Sequence, residues 1–175
     1  MKTYSLALKI GLIGILTVPL RLYFEPKNEK NIIYNVNHGS VDLNAPTAVK
    51  MFNSIEIYSM KYNIPLKYAL GIAYAETRYQ GPFHWTYNPS QKSSAGALGP
   101  MQIMPSTANS VWKKNISKGE LVSNIDLNVE TSMKVLRRLY DKYGNWKIVF
   151  GCYNTGRPCV NGYAEKVYNF NPKLN

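Results

Sequence analysis

Residues 126 to 144 read DLNVETSMKVLRRLYDKYG, and their spacing decides the fold class. Val129, Met133, Leu136, Leu139 or Tyr140, and Tyr143 recur three or four positions apart. On a helix they fall along one side and make an apolar stripe between charged residues. Asp126 stands where a side-chain oxygen caps a first turn, and Gly144 where a left-handed residue ends the last one. Working outward, Trp146 to Tyr153 and Tyr163 to Asn169 also read as helical. Upstream, Ser106 to Lys113 reads as a short helix. Gln80 to Gly99 is a long loop rich in Gly, Pro, Ser and Asn, a length that points to function rather than connection. Pro65 opens a helix carrying Leu66, Ala69, Leu70, Ala73 and Glu76 along one side. Pro46 opens another, with Val49, Phe52, Ile55 and Tyr58, that ends near Asn63. Strand alternation is scarce, so the expected fold class is mainly α, in one domain spanning residues 45–175.

The chain has 175 residues, is 45% hydrophobic and carries a net charge of +11. That is material for one ordinary core with an anionic partner. The cations are scattered or paired, as at Lys113-Lys114 and Arg137-Arg138, without the dense run of a nucleic-acid arm, so nucleic acid is disfavoured as a partner. Residues 1–24 carry Lys2 and Lys9, an apolar run from Ile10 to Leu20, then Arg21, the pattern of an export leader. TVPLRLYF offers no small-x-small cleavage site, so removal and retention as a membrane anchor both stay open, as does an apolar helix packed on the domain. Residues 25–44 are polar and Asn-rich and read as a linker. Cys152 and Cys159 are too few to hold zinc; export would allow a small-loop disulfide, and their spacing leaves two thiols open beside it.

Ten carboxylates can be taken one by one. Glu25, Glu29 and Asp42 fall in the linker. Glu56, Glu130, Asp141 and Glu165 fall on helix surfaces, Glu120 in a turn-like segment, and Asp126 at the cap. Glu76 follows the run ALGIAYA and shares a helix side with Ala69 and Ala73. Facing a dry cleft, such a glutamate would keep its proton near neutrality and act as a general acid; pointing to solvent, it would do nothing. The helix alone leaves both open.

Residues 75–77 read AET, 88–104 read NPSQKSSAGALGPMQIM, and 152–156 read CYNTG. In this order, with helical segments between, they resemble the soluble lytic transglycosylase family. That family shows a glutamate followed by Ser or Thr, an NPxAxSxxGAxGLMQIMP block, an AYNAG block and a terminal YVxxV. NVETSMKVLRRLYDKYG is similar to the family's long helix, so the match runs from about Ile64 to Val167. The resemblance implies a lysozyme-like helical domain with a glycan-binding cleft and no cofactor or metal. It makes Glu76 the acid/base, with Ser93, Gln102, Met104, Tyr153, Asn154 and Tyr163 lining the cleft. The substrate it implies is the peptidoglycan glycan strand. Amides suit sugar hydroxyl and acetamido groups, and tyrosines give sugar rings an apolar face.

Most glycosidases use two carboxylates. The family resemblance resolves the shortage: one acid protonates the glycosidic oxygen after N-acetylmuramic acid, then activates the C6 hydroxyl, closing a 1,6-anhydro ring. Thr77, Gln91, Pro100, Cys152, Thr155 and Ala164 depart from the family pattern without removing a proposed catalytic group. The loop from Thr77 to Tyr87 is longer than the pattern and adds Phe83, His84, Trp85 and Tyr87 as an extra wall over the glycan. YNTG and NGYAEKV are closer to members serving secretion, conjugation or phage entry. The expected location is the periplasm or envelope, anchored or not, or a virion. A hydrolase on the same scaffold, a non-catalytic wall-binding component and a basic nucleic-acid module are the rival readings.

Overall fold

The computed structural model describes residues 44–172, which fall within one unit, Ile32–Asn175. The expected leader and nearly all of the linker lie outside the described residues. Seven helices follow one another among those described: α1 Thr47–Lys61, α2 Leu66–Thr77, α3 Pro105–Trp112, α4 Lys118–Ser123, α5 Ile125–Tyr143, α6 Trp146–Thr155 and α7 Gly162–Tyr168. Among the described residues, extended pairing is confined to isolated bridges of Leu98 with Lys92 and with Ile103. No helix among the described residues is long and apolar enough to cross a membrane.

α5 is the central element and packs against α1, α3, α4 and α6. Val129, Met133 and Leu136 of its expected stripe are fully buried, while Leu139 and Tyr140 only flank the core. Its cap differs from the expectation. Asn124 accepts the Leu127 N–H at 2.9 Å, and Asp126 sits in the first turn, where it accepts a hydrogen bond from Ser54 of α1. The carboxylate therefore joins two helices instead of ending one. Glu130, expected on a solvated face, accepts from Lys61 Nζ and the Tyr62 hydroxyl, each at 2.7 Å, closing the other end of the same interface.

α4 was expected as a turn. Six residues are too few to show a stripe, but SKGE is a capping box. Ser117 Oγ accepts the Glu120 N–H at 3.1 Å, and the Glu120 carboxylate accepts the Ser117 N–H at 2.9 Å. In α1 the buried face is broader than the expected stripe, because Ala48 and Met51 join Val49 and Ile55 in the core. Tyr68 binds α2 to α6 and α7, its ring centroid 5.2 Å from Trp146, 5.0 Å from Phe150 and 5.7 Å from Tyr168. Cys152 and Cys159 are free thiols.

One polar group inside this core organises the loop between α2 and α3. Asn128 is fully buried on α5. Its Nδ2 donates to Leu98 O and Leu121 O, and its Oδ1 accepts the Met101 N–H, all at 2.9 Å. Gly99 lies against it at φ +75°, and a Cβ there would come within 2.4 Å of Asn128 Nδ2 and Leu121 O, so the position requires glycine twice over. Asn128→Asp would set a carboxylate oxygen against two carbonyls inside the core. We expect a loss of at least about 3 kcal/mol, read from denaturant midpoints at neutral pH, since buried acceptors lose their donor and a charge loses water.

Candidate active site

α2 ends abruptly after Thr77 because Arg78 takes the left-handed conformation at φ 60°. Glu76 therefore belongs to the last turn of a helix whose body is buried. It is half-buried itself, and Tyr163 of α7 donates a 2.6 Å hydrogen bond to its Oε1. Burial pushes the carboxyl above its ordinary value, and the Tyr163 bond opposes that without cancelling it. The negative end of the helix dipole lies on the same side, which also disfavours the anion. Burial also raises both neighbouring phenols, Tyr153 and Tyr163, and the Glu76 charge raises them further, so both hydroxyls are neutral donors.

The next residue ties this turn to the facing loop. Thr77 Oγ1 donates to Pro100 O at 2.9 Å and is hydrogen-bonded to the Tyr87 hydroxyl at 2.9 Å. Gln91 Nε2 reaches Thr77 O at 3.2 Å. The long loop is thus clasped to the residue beside Glu76. Of its aromatics, Tyr87 is buried, while Phe83 and Trp85 are 46% and 58% exposed and meet edge to face with ring centroids 5.8 Å apart.

The candidate residues divide into those near Glu76 and those engaged elsewhere. Tyr163 touches Glu76 directly. Tyr153 donates to Met101 O at 2.8 Å, which places it on the loop strand that carries Gln102. Gln102 is held at φ 50°, unusual for a residue with a Cβ, and spends both amide hydrogens on Gly99 O at 2.8 Å and Gln91 O at 3.3 Å. Its side-chain carbonyl oxygen remains as an acceptor. Met104 is 39% exposed at the residue before α3. Asn154 is exposed and accepts from Asn161 Nδ2 at 3.2 Å; Asn161 in turn caps α7 below Tyr163. Ser93 makes no bond to Glu76. Its exposed hydroxyl accepts the Ala97 N–H at 3.0 Å inside its own turn.

Seven of the ten carboxylates lie among the described residues. Asp126 and Glu130 join α1 to α5, Glu120 caps α4, Asp141 pairs with Arg137, Glu165 pairs with Lys147, and Glu56 lies on α1. Glu76 alone combines burial with an upward shift. Sequence reasoning missed Asn128 and Ser132 as supports of the site. Their signal was an amide and a hydroxyl four apart, both interrupting the apolar side of the longest helix.

A family model described as the transglycosylase SLT domain matches residues 53–175. The chain belongs to that family. SLT-domain relatives include the soluble lytic murein transglycosylases of Escherichia coli K12 and O157:H7, each 33% identical over 105 residues, which is 57% of this chain and 15% of the relative. The crystal structure of the 70 kDa soluble lytic transglycosylase from E. coli is 30% identical, with a TM-score of 0.52 over 66% of this chain and 18% of that one. The 70 kDa soluble lytic transglycosylase complexed with bulgecin A aligns equally well. The mainly α, lysozyme-like SLT fold expected from the sequence is therefore the fold of this chain, which spans under a fifth of those relatives' length.

The raised Glu76 carboxyl makes a stability prediction. Its folded-state proton affinity exceeds the unfolded one, so the native state binds more protons and stability falls as pH rises through and above the ordinary glutamate range. Glu76→Gln removes that titration and still accepts from Tyr163. Thermal melts should show the variant gaining on wild type as pH rises from 4 to neutrality, and matching it at the acid end.

Proposed function

We propose that this chain is a peptidoglycan lytic transglycosylase that cleaves the β-1,4 bond between N-acetylmuramic acid and N-acetylglucosamine and leaves a 1,6-anhydro end. The observation that carries the reading is the half-buried Glu76 carboxyl, biased toward its protonated form and aimed by the Tyr163 hydroxyl beside the loop of Met101 and Gln102. Family membership supports the substrate class.

In this reading Glu76 gives its proton to the glycosidic oxygen, and the N-acetylglucosamine side leaves as an alcohol. The acetamido group of the muramic acid supports the positive centre at C1. Glu76, now a carboxylate, takes the C6 hydroxyl proton while that oxygen bonds C1, which closes the anhydro ring and restores the acid. Tyr163 keeps the carboxyl on its bearing through both transfers. Tyr153 and Gln102 would meet the sugar with hydroxyl and amide oxygen, Asn154 and Met104 would line the outer cleft, and Ser93 would act through its turn. The leader pattern of residues 1–24 supports export to the envelope. Service to a secretion, conjugation or virion assembly is the setting suggested by the YNTG and NGYAEKV segments.

The test is digestion of purified sacculi by the full chain, with products identified by mass spectrometry. Wild type should release 1,6-anhydro muropeptides, and Glu76→Gln should fall by at least about a hundredfold, the usual contribution of a general acid. Reducing ends would instead mark a hydrolase, and no release at all a wall-binding component. Tyr163→Phe should move the alkaline limb of the pH–rate profile upward, because it removes the bond that lowers the Glu76 affinity for its proton.

A further inference from the structure

We infer that Ser132, in the interior of α5, is a positioning residue for glycan cleavage: it fixes the direction of the single Tyr153 proton and, through it, the peptide that aims Gln102. The inference rests on the transglycosylase reading.

A proton count assigns the donors. Tyr153 has one hydroxyl hydrogen, and it lies on Met101 O at 2.8 Å. Ser132 Oγ is 2.9 Å from the same phenol oxygen, so Ser132 must be the donor in that pair. Tyr153 is left able only to accept from a sugar hydroxyl. Donation by Ser132 polarises the phenol and strengthens the bond its proton makes to Met101 O; with Ser132 absent, the phenol oxygen would lose its donor and that bond would weaken.

The Met101 carbonyl is half of the peptide whose nitrogen belongs to Gln102, so its direction bears on the Gln102 φ of 50°. Gln102 N–H closes that turn on Gly99 O at 3.1 Å. The preceding peptide is held as well, because the Met101 N–H binds Asn128 Oδ1 at 2.9 Å. Asn128 and Ser132 are one turn apart on the same face of α5, and both are fully buried. One helix therefore grips both sides of Met101, directly through Asn128 and through Tyr153 by way of Ser132. Such double restraint is what keeps a non-glycine residue in a left-handed conformation at a functional loop. A serine needed only to fill space would have no reason to place its oxygen on this phenol.

The experiment is a double-mutant cycle on soluble glycan strands with the full chain, using Ser132→Ala and Tyr153→Phe, each of which removes one oxygen and adds no bulk. Ser132→Ala alone should lower kcat about fivefold, the loss of one neutral hydrogen bond, with a smaller change in KM. In the Tyr153→Phe background it should cost nothing further in kcat. Equal losses in both backgrounds, or a fall in Tm with kcat unchanged, would reduce Ser132 to a packing residue and overturn the inference. If wild type releases no anhydro product, the transglycosylase reading itself fails and this one falls with it.

Discussion

The carboxamide of Asn128 holds the α2–α3 loop and α4 to the middle of α5. It lies in the middle of α5, where an apolar side chain would serve packing better, and three backbone groups of the α2–α3 loop and α4 depend on it. Desolvating an amide inside a core is unfavourable unless every hydrogen and lone pair is used, and here both hydrogens and the oxygen are used. The cost is offset by order. A loop with almost no extended pairing acquires one conformation, Gly99 can approach α5 closely, and the Pro100 carbonyl is presented to Thr77, next to Glu76.

The acid itself is poised by opposing effects. Burial and the end of α2 favour the neutral carboxyl, while the Tyr163 hydroxyl favours the anion. Both forms are needed if one group is to donate a proton and then take one back, so a moderate bias suits the proposed chemistry better than a carboxyl locked in either state. No other described carboxylate shares this setting, because the rest are spent on helix contacts, caps and surface pairs.

The same helix supplies a third buried polar contact. Thr131 Oγ1 accepts the Trp112 indole N–H at 2.8 Å, anchoring α3 as Asn128 anchors the loop and Ser132 the phenol. Thr131, Asn128 and Ser132 make α5 a polar spine set in an apolar interior, and α3, α4, the α2–α3 loop and Tyr153 of α6 are bonded to it. The loop places Phe83 and Trp85 on the exposed surface, but its base is fixed through Tyr87, whose buried hydroxyl is pushed up to about 12.

Six of the seven helices were legible along the chain, because each buries an apolar side whose period survives in the order of residues. Val129, Met133 and Leu136 announce α5 whatever surrounds them. Glu76 could be singled out by elimination, and the cleft residues by resemblance to a family. The sequence did not disclose that Asp126 reaches Ser54 instead of capping α5, nor that Asn124 takes the cap, because Asn124 and Asp126, two positions apart, are equally good capping residues for helix starts that differ by two residues. Nor did it disclose the bond from Tyr163 to Glu76 or the Ser132–Tyr153–Met101 chain, whose members lie between 21 and 87 positions apart. Periodicity reports which side of a helix is dry; which polar groups meet across a dry space is decided by how the helices are laid against one another.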